Sequence, residues 1–140
     1  MNEAAPSHPG VLIVDDDRHI RDILRELFVS SGYQAQVAAD GREALELFDA
    51  DRPSLTVTDV HMPVMDGVSF LNELRRRPDA ADFEVIVMSA LVDPEWFGKL
   101  PGVIRALRKP FDIGEIQALV SEFADRRPAR LPGRQRGTGP

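Results

Sequence analysis

Four apolar stretches of the sequence each run into polar residues whose chemistry would be useful in a binding or catalytic site. These polar residues are three acids, a hydroxyl and an amine: Asp15, Asp16, Asp59, Ser89 and Lys109. Clustered carboxylates repel one another, and a hard divalent cation such as Mg²⁺ relieves that repulsion. A carboxylate beside such an ion, with an amine and a hydroxyl nearby, is equipped to accept a phosphoryl group.

Each residue has a distinct role in this hypothesis. Asp59 is the nucleophile that takes the phosphoryl group. The metal and Lys109 neutralise negative charge on the transferred oxygens, and Ser89 donates a hydrogen bond to one of them. The chemistry requires all of these side chains to meet at one place, which depends on the elements that carry them.

The apolar stretches before these residues have the length and the flanking turn residues of buried β-strands. A further strand over residues 33–38 alternates between apolar and polar residues, which is typical of a strand at a sheet edge. Amphipathic helical patterns follow the strands. Five aspartates stand where these helices begin, and we interpret them as helix caps rather than ligands: Asp17, Asp40, Asp66, Asp93 and Asp112.

Five strands alternating with five helices predict an α/β fold of the (βα)5, doubly wound type with a five-stranded parallel sheet. In the flavodoxin-like strand order 2-1-3-4-5, the first and third strands are neighbours, so Asp15, Asp16 and Asp59 would lie together. We expect a short helix of about two turns after Asp93. We expect the last helix to bury one face, made of Ile113, Ile116, Leu119, Val120 and Phe123.

Composition and length limit the alternatives. The chain has 140 residues, enough for one compact domain, and no cysteine, so it forms no disulfide or thiolate metal site. We predict a disordered lead over residues 1–9, one domain over residues 10–125 and a disordered Arg/Pro/Gly-rich tail over residues 126–140. We find no signal peptide or membrane-spanning stretch, and therefore expect a cytoplasmic protein that does not bind membranes.

The charge is unevenly distributed. The tail holds five arginines and no acid, so removing its charge of +5 from the total of −6 leaves −11 for residues 1–125. An acidic body is a poor ligand for nucleic acid, and we expect no direct nucleic-acid binding by the folded domain. The tail itself could stay solvated or could dock on an acidic partner or on nucleic acid.

Taken together, these motifs resemble the receiver domain of two-component response regulators. The resemblance covers about residues 10–125 and has four parts in order: residues 11–16, residues 59–67, residues 87–90 and Lys109-Pro110-Phe111. It implies a phosphorelay signalling protein rather than an enzyme with an external substrate. Asp59 would be phosphorylated by a sensor histidine kinase or a histidine phosphotransfer protein. The resulting change in the surface formed by the fourth helix, fifth strand and fifth helix would signal to a downstream protein effector.

The resemblance also implies a ligand set for Mg²⁺. Asp16, Asp59 and the backbone carbonyl of His61 would bind the ion directly, while Asp15 would act mostly through water. Lys109 would pair with the phosphoryl group, and the peptide bond before Pro110 would be cis.

In one respect the sequence departs from the family pattern. Receiver domains usually carry Tyr or Phe three residues before the lysine, where this chain has Ala106. In the family, this aromatic ring turns inward when the Ser or Thr moves towards the phosphate. That part of the switch is missing here, and we expect the activated state to be recognised through residues 89–99 instead. His61, Ala90 and Leu91 flank the site and are candidates for tuning hydrolysis.

We interpret the sequence as a stand-alone receiver without an attached output domain. One alternative is a phosphorylation-independent interaction module with the same fold. Another is a magnesium-dependent phosphohydrolase that uses Asp59 catalytically. Those enzymes generally need a second acid two residues after the nucleophile, and His61 at that position argues against this alternative.

Overall fold

A computed structural model describes residues 10–60, 67–78, 83–90, 99 and 102–130 of the chain. The strands are β1 Gly10–Val14, β2 Gln34–Ala38, β3 Leu55–Asp59, β4 Glu84–Ser89 and β5 Val103–Arg108. The described helices are α1 Arg18–Ser30, α2 Gly41–Ala50, α3 Gly67–Arg75 and α4 Ile113–Arg130. The short helix that we expected after Asp93 falls outside the described residues.

The five strands form one parallel sheet in the order β2-β1-β3-β4-β5, which confirms the predicted topology. β1 is an interior strand and pairs with β2 on one side and β3 on the other. Val14 at the end of β1 lies opposite Thr58 on β3, so the next residues of both strands emerge side by side. The alternating strand β2 lies at the edge, as its pattern predicted.

Helices cover both faces of the sheet and create two cores. Alternate residues of β1 divide between them, with Val11 and Ile13 on one face and Leu12 and Val14 on the other. The first core packs the sheet against α1 and α4, and the second packs it against α2 and α3. A strand buried on both faces is apolar at most of its positions, which explains the unbroken run over residues 11–14.

Aspartate caps fix where three helices begin, as the sequence predicted. Asp17 and Asp40 accept hydrogen bonds from the amides of His19 and Glu43, at 2.8 and 2.9 Å. Asp112 accepts one from the amide of Glu115 at 2.7 Å. These bonds satisfy amides that have no partner within the helix. The caps predicted at Asp66 and Asp93 lie outside the described residues.

The last helix departs from the prediction at both ends. Ile113, which we placed on the buried face, is 47% exposed because it stands at the first position of α4, where core contact has not yet begun. Ile116, Leu119 and Val120 are buried as predicted. α4 continues to Arg130, beyond the predicted tail boundary at residue 126, although Pro128 lies within it and has no backbone N–H to donate. The side chain of Phe123 is not among those described.

None of the described helices combines the length and the apolar character that crossing a membrane requires.

The first core should depend strongly on Phe28. Its ring is 1% exposed and meets the ring of Tyr33 edge to face, with centroids 5.1 Å apart. We expect Phe28→Ala to lower the free energy of unfolding by about 3–5 kcal/mol, measured by urea denaturation. The adjacent Val29 is 53% exposed, and Val29→Ala should change the same quantity by less than about 0.5 kcal/mol. Similar losses in the two variants would contradict this description of the core.

Candidate functional site

Three carboxylates converge where β1 and β3 end. Asp15 and Asp16 directly follow β1, and Asp59 is the last residue of β3. Each offers an oxygen, and these oxygens all lie within 4.8 Å of one another. The convergence expected from the strand order is therefore present. A group of hard oxygen donors at this spacing is suited to a divalent cation.

The three acids differ sharply in exposure. Asp15 is completely buried and Asp59 is 6% exposed, whereas Asp16 lies at the surface. One oxygen of each buried carboxylate accepts a hydrogen bond from a backbone amide. Asp15 Oδ1 accepts from Asp17 N at 2.9 Å, and Asp59 Oδ1 accepts from Val60 N at 2.7 Å. The buried pair is thus held in fixed orientations, while Asp16 faces solvent.

Lys109 joins the two buried carboxylates. Its Nζ lies 2.6 Å from Asp15 Oδ2 and 3.1 Å from Asp59 Oδ2. The lysine directly follows β5, and its backbone amide donates to the carbonyl of Ser89 at 2.8 Å. The Lys109–Pro110 peptide is cis, as the family resemblance implied. A single cation therefore connects residues that are far apart in the sequence.

The pKa values of Asp15 and Lys109 are both shifted in this buried cluster. Burial raises the pKa of Asp15 above 3.8, against the opposing effect of its hydrogen bond and charge interaction with Lys109. Burial also acts to lower the pKa of Lys109, but its bonds and charge interactions with Asp15 and Asp59 outweigh this, so the pKa rises above 10.5. Lys109 consequently remains charged at neutral pH.

The other predicted site residues take the following positions. Ser89 ends β4 and is 1% exposed, next to Ala90 at the surface. Ala106 is half-buried on β5 and packs against the core formed with α2 and α3. His61 and Leu91 lie outside the described residues, so the roles expected of them remain predictions.

One contact of the site was not anticipated from the sequence. Arg21 Nη1 donates a hydrogen bond to the backbone carbonyl of Asp15 at 2.8 Å. Arg21 belongs to the first turns of α1, on the polar face of its amphipathic pattern. A basic residue one turn beyond the Asp17 cap was the available signal, but spacing alone could not show that its side chain folds back towards the strand.

A cavity of about 320 Å³ opens beside the acidic cluster. It is lined by Asp17, Ile20, Ala90, Lys109, Pro110 and Phe111. Its lining is therefore largely apolar, and Lys109 belongs to both the cavity and the acidic cluster.

Comparisons with known proteins agree with this geometry. Residues 11–121 match the family model of the response regulator receiver domain. The chain is 40% identical over 110 residues to the response regulator MprA of Mycolicibacterium vanbaalenii, covering 77% of this chain and 47% of that protein. It is 36% identical over 115 residues to the sporulation initiation phosphotransferase F of Bacillus subtilis, covering 81% of this chain and 91% of that protein.

A sensor kinase also carries a similar segment. The sensor histidine kinase TmoS of Ectopseudomonas mendocina is 38% identical over 117 residues, which are 82% of this chain and 12% of that protein. The chain thus spans about half the length of the mycobacterial regulator and a small part of the kinase.

Solved structures show the same fold. A Francisella response regulator receiver domain superposes with a TM-score of 0.73 at 35% identity, covering 86% of this chain and 99% of that one. A chemotaxis response regulator of Vibrio cholerae gives a TM-score of 0.74 at 31% identity, covering 84% and 99% of the two chains. From the family match and these similarities, the chain belongs to the receiver domain family of two-component response regulators.

Proposed function

We propose that this receiver accepts a phosphoryl group on Asp59 in a magnesium-dependent reaction. The observation that carries the proposal is the meeting of three acids and one lysine at the carboxyl end of the sheet. An oxygen of Asp59 forms a bond to phosphorus while the bond from phosphorus to the donor breaks. The electron pair of that bond leaves with the donor, and the product is an aspartyl phosphate.

The three acids would have different roles in binding the ion. Asp16 is exposed, and Asp59 lies within reach of it, so these two carboxylates, with the backbone carbonyl of His61, would bind Mg²⁺ directly. Asp15 would act mostly through water, since it is completely buried whereas Asp59 keeps 6% of its surface exposed. When bound, the ion would neutralise negative charge on the acids and on the incoming phosphoryl oxygens.

Lys109 and Ser89 act on the transferred group. The Lys109 ammonium is 3.1 Å from Asp59 and charged, so it can pair with a phosphoryl oxygen on that residue. Ser89 ends the neighbouring strand β4, and its hydroxyl would donate to another phosphoryl oxygen. Formation of these two contacts would draw the ends of β4 and β5 towards the modified aspartate.

The phosphodonor would be a sensor histidine kinase or a histidine phosphotransfer protein. The apolar cavity formed by Ile20, Pro110, Phe111 and their neighbours gives such a protein a surface to dock on beside Asp59. A downstream protein effector would read the modified state from the face that includes β5. With Ala106 in place of an aromatic residue, the readout would pass through residues 89–99, most of which lie outside the described part of the chain.

The two alternatives make different predictions. A phosphorylation-independent interaction module would keep the fold and take no phosphoryl group. A phosphohydrolase would turn over a phosphate ester beyond one equivalent of protein. The proposed receiver instead catalyses only its own phosphorylation and dephosphorylation.

The acceptor can be tested by intact-mass analysis after incubation with Mg²⁺ and acetyl phosphate. We expect wild type to gain one base-labile phosphoryl group and Asp59→Asn to gain none, because an amide cannot act as the nucleophile. Asp22 is an exposed acid on α1, and Asp22→Asn should gain the group as wild type does. Equal labelling of the Asp59 and Asp22 variants would contradict the assignment, and no labelling of wild type would favour the interaction module.

The raised pKa of Asp15 predicts a pH-dependent stability in the metal-free protein. The folded state binds the Asp15 proton more tightly than the unfolded chain, so this group's contribution to the free energy of unfolding falls as pH rises from 3.8 through the folded-state pKa. Asn at this position cannot titrate. We therefore expect Asp15→Asn to be more stable than wild type above that window, with the difference shrinking towards pH 3.8.

Urea unfolding from acid to neutral pH measures this difference, with Asp22→Asn as the surface control. A wild type that is more stable than Asp15→Asn at neutral pH would show that Lys109 compensates fully for the buried charge. A difference in the free energy of unfolding that does not vary with pH would show the same.

The readout segment can be tested by amide hydrogen exchange with and without acetyl phosphate. We expect phosphorylation to slow exchange over residues 89–99, because new contacts at Ser89 and Lys109 order the ends of β4 and β5. The edge strand β2 is on the far side of the sheet and should keep its exchange rates. Unchanged exchange over residues 89–99 in a fully phosphorylated sample would contradict this route of signalling.

A further inference from the structure

The acidic residues 15–17, which we name the acidic loop, are held from two sides. At one end, Asp17 N donates to Asp15 Oδ1 at 2.9 Å. At the other, Arg21 Nη1 reaches back from α1 and donates to the Asp15 carbonyl at 2.8 Å. Asp15 N in turn donates to the carbonyl of Ala38 on β2 at 3.1 Å. The backbone of the loop is thus tied to both the sheet and the helix.

These bonds bear directly on Asp16, which lies between them. The peptide unit between Asp15 and Asp16 is planar, so fixing the Asp15 carbonyl oxygen fixes the orientation of the whole unit. The next peptide unit is held through the Asp17 amide. Asp16 is exposed at the surface, but its backbone is therefore restrained on both sides.

Arg21 is itself well placed to maintain this restraint. Its amide donates to the Asp17 carbonyl at 3.1 Å, within the first turn of α1, and the Asp17 side chain caps that helix at His19. The side chain of Arg21 is half-buried, whereas Arg25, one turn later, is exposed. A cation near the N-terminus of a helix opposes the helix dipole, so helix stability does not account for the placement of Arg21.

We propose that Arg21 is a positioning residue that aims the Asp16 carboxylate at the metal by holding the Asp15 carbonyl. This inference rests on the proposed magnesium-dependent function of the same site. In this role Arg21 acts through the backbone of the acidic loop. Its contribution is to keep the acidic loop in the conformation that binds the ion, so that the loop does not have to be ordered when the ion arrives.

The test is the affinity for Mg²⁺ alone, measured by isothermal titration calorimetry. Arg21→Met removes the donor but keeps an apolar stem, and we expect about tenfold weaker binding, the usual effect of losing a group that orients a metal ligand. Arg25→Met loses the same charge one turn away and should bind as wild type does. Arg21→Lys retains one donor and should fall between wild type and Arg21→Met.

A kinetic measurement separates positioning from catalysis. We expect Arg21→Met to need about tenfold more Mg²⁺ for half-maximal labelling by acetyl phosphate, with a wild-type rate at saturating Mg²⁺. Thermal unfolding without Mg²⁺ checks that the variant is folded. If Arg21→Met does not fold, Arg21→Lys is compared with Arg25→Lys instead. We then expect weaker Mg²⁺ binding in Arg21→Lys alone.

Equal Mg²⁺ affinities at the two arginine positions would overturn the inference, as would a labelling rate for Arg21→Met that stays low at saturating Mg²⁺. Either result leaves the proposed function intact as long as wild type binds Mg²⁺ and is labelled. Failure of wild type itself to bind Mg²⁺ or to accept the phosphoryl group would overturn the proposed function first.

Discussion

The burial of two carboxylates side by side is the constraint on which this site depends. Asp15 and Asp59 are almost inaccessible to solvent, and one ammonium group lies between them. Moving charge out of water is costly, and removing one partner of a buried cluster leaves the others uncompensated. The single positive charge of Lys109 does not balance Asp15, Asp16 and Asp59 together. The cluster therefore retains an excess of negative charge that a divalent cation would neutralise.

The topology of the chain is what allows this arrangement. The order β2-β1-β3-β4-β5 places β1 beside β3, so two strands that are distant in sequence deliver their terminal acids to one point. Lys109 arrives from β5, two strands away from β3, and is held to the end of β4 through the Ser89 carbonyl. A rigid, doubly covered sheet fixes the strand ends, and the functional groups then need only short extensions beyond it.

Much of this could be predicted from the sequence because the signals are local and strong. The unbroken apolar run of β1 indicates burial on two faces, and the alternation in β2 indicates burial on one. The predicted order 2-1-3-4-5 is the flavodoxin-like one of the known doubly wound orders. The caps at Asp17, Asp40 and Asp112 follow from side chains that satisfy nearby amides. Convergence of the acids followed from strand order and needed no knowledge of side-chain geometry.

What the sequence did not reveal depends on where particular side chains meet the rest of the fold. Ile113 fits the apolar period of α4, but it lies before the helix reaches the core and is exposed. α4 continues through Pro128 to Arg130, in a stretch whose arginines and prolines we interpreted as disorder. The bond from Arg21 to the Asp15 carbonyl depends on a side-chain conformation that periodicity does not encode. The difference in exposure between Asp15 and Asp16, which are adjacent in sequence, is likewise set by how β1 leaves the sheet.

The central claim is that a divalent cation relieves the repulsion within the acidic cluster. Its most direct test is the free energy of unfolding of wild type as a function of MgCl₂ concentration, with NaCl at matched ionic strength as the control. Because the ion would bind only the folded state, this free energy should rise by about 1.4 kcal/mol for each tenfold increase in Mg²⁺ above the dissociation constant. An equal response to NaCl, or no response to Mg²⁺, would contradict the account.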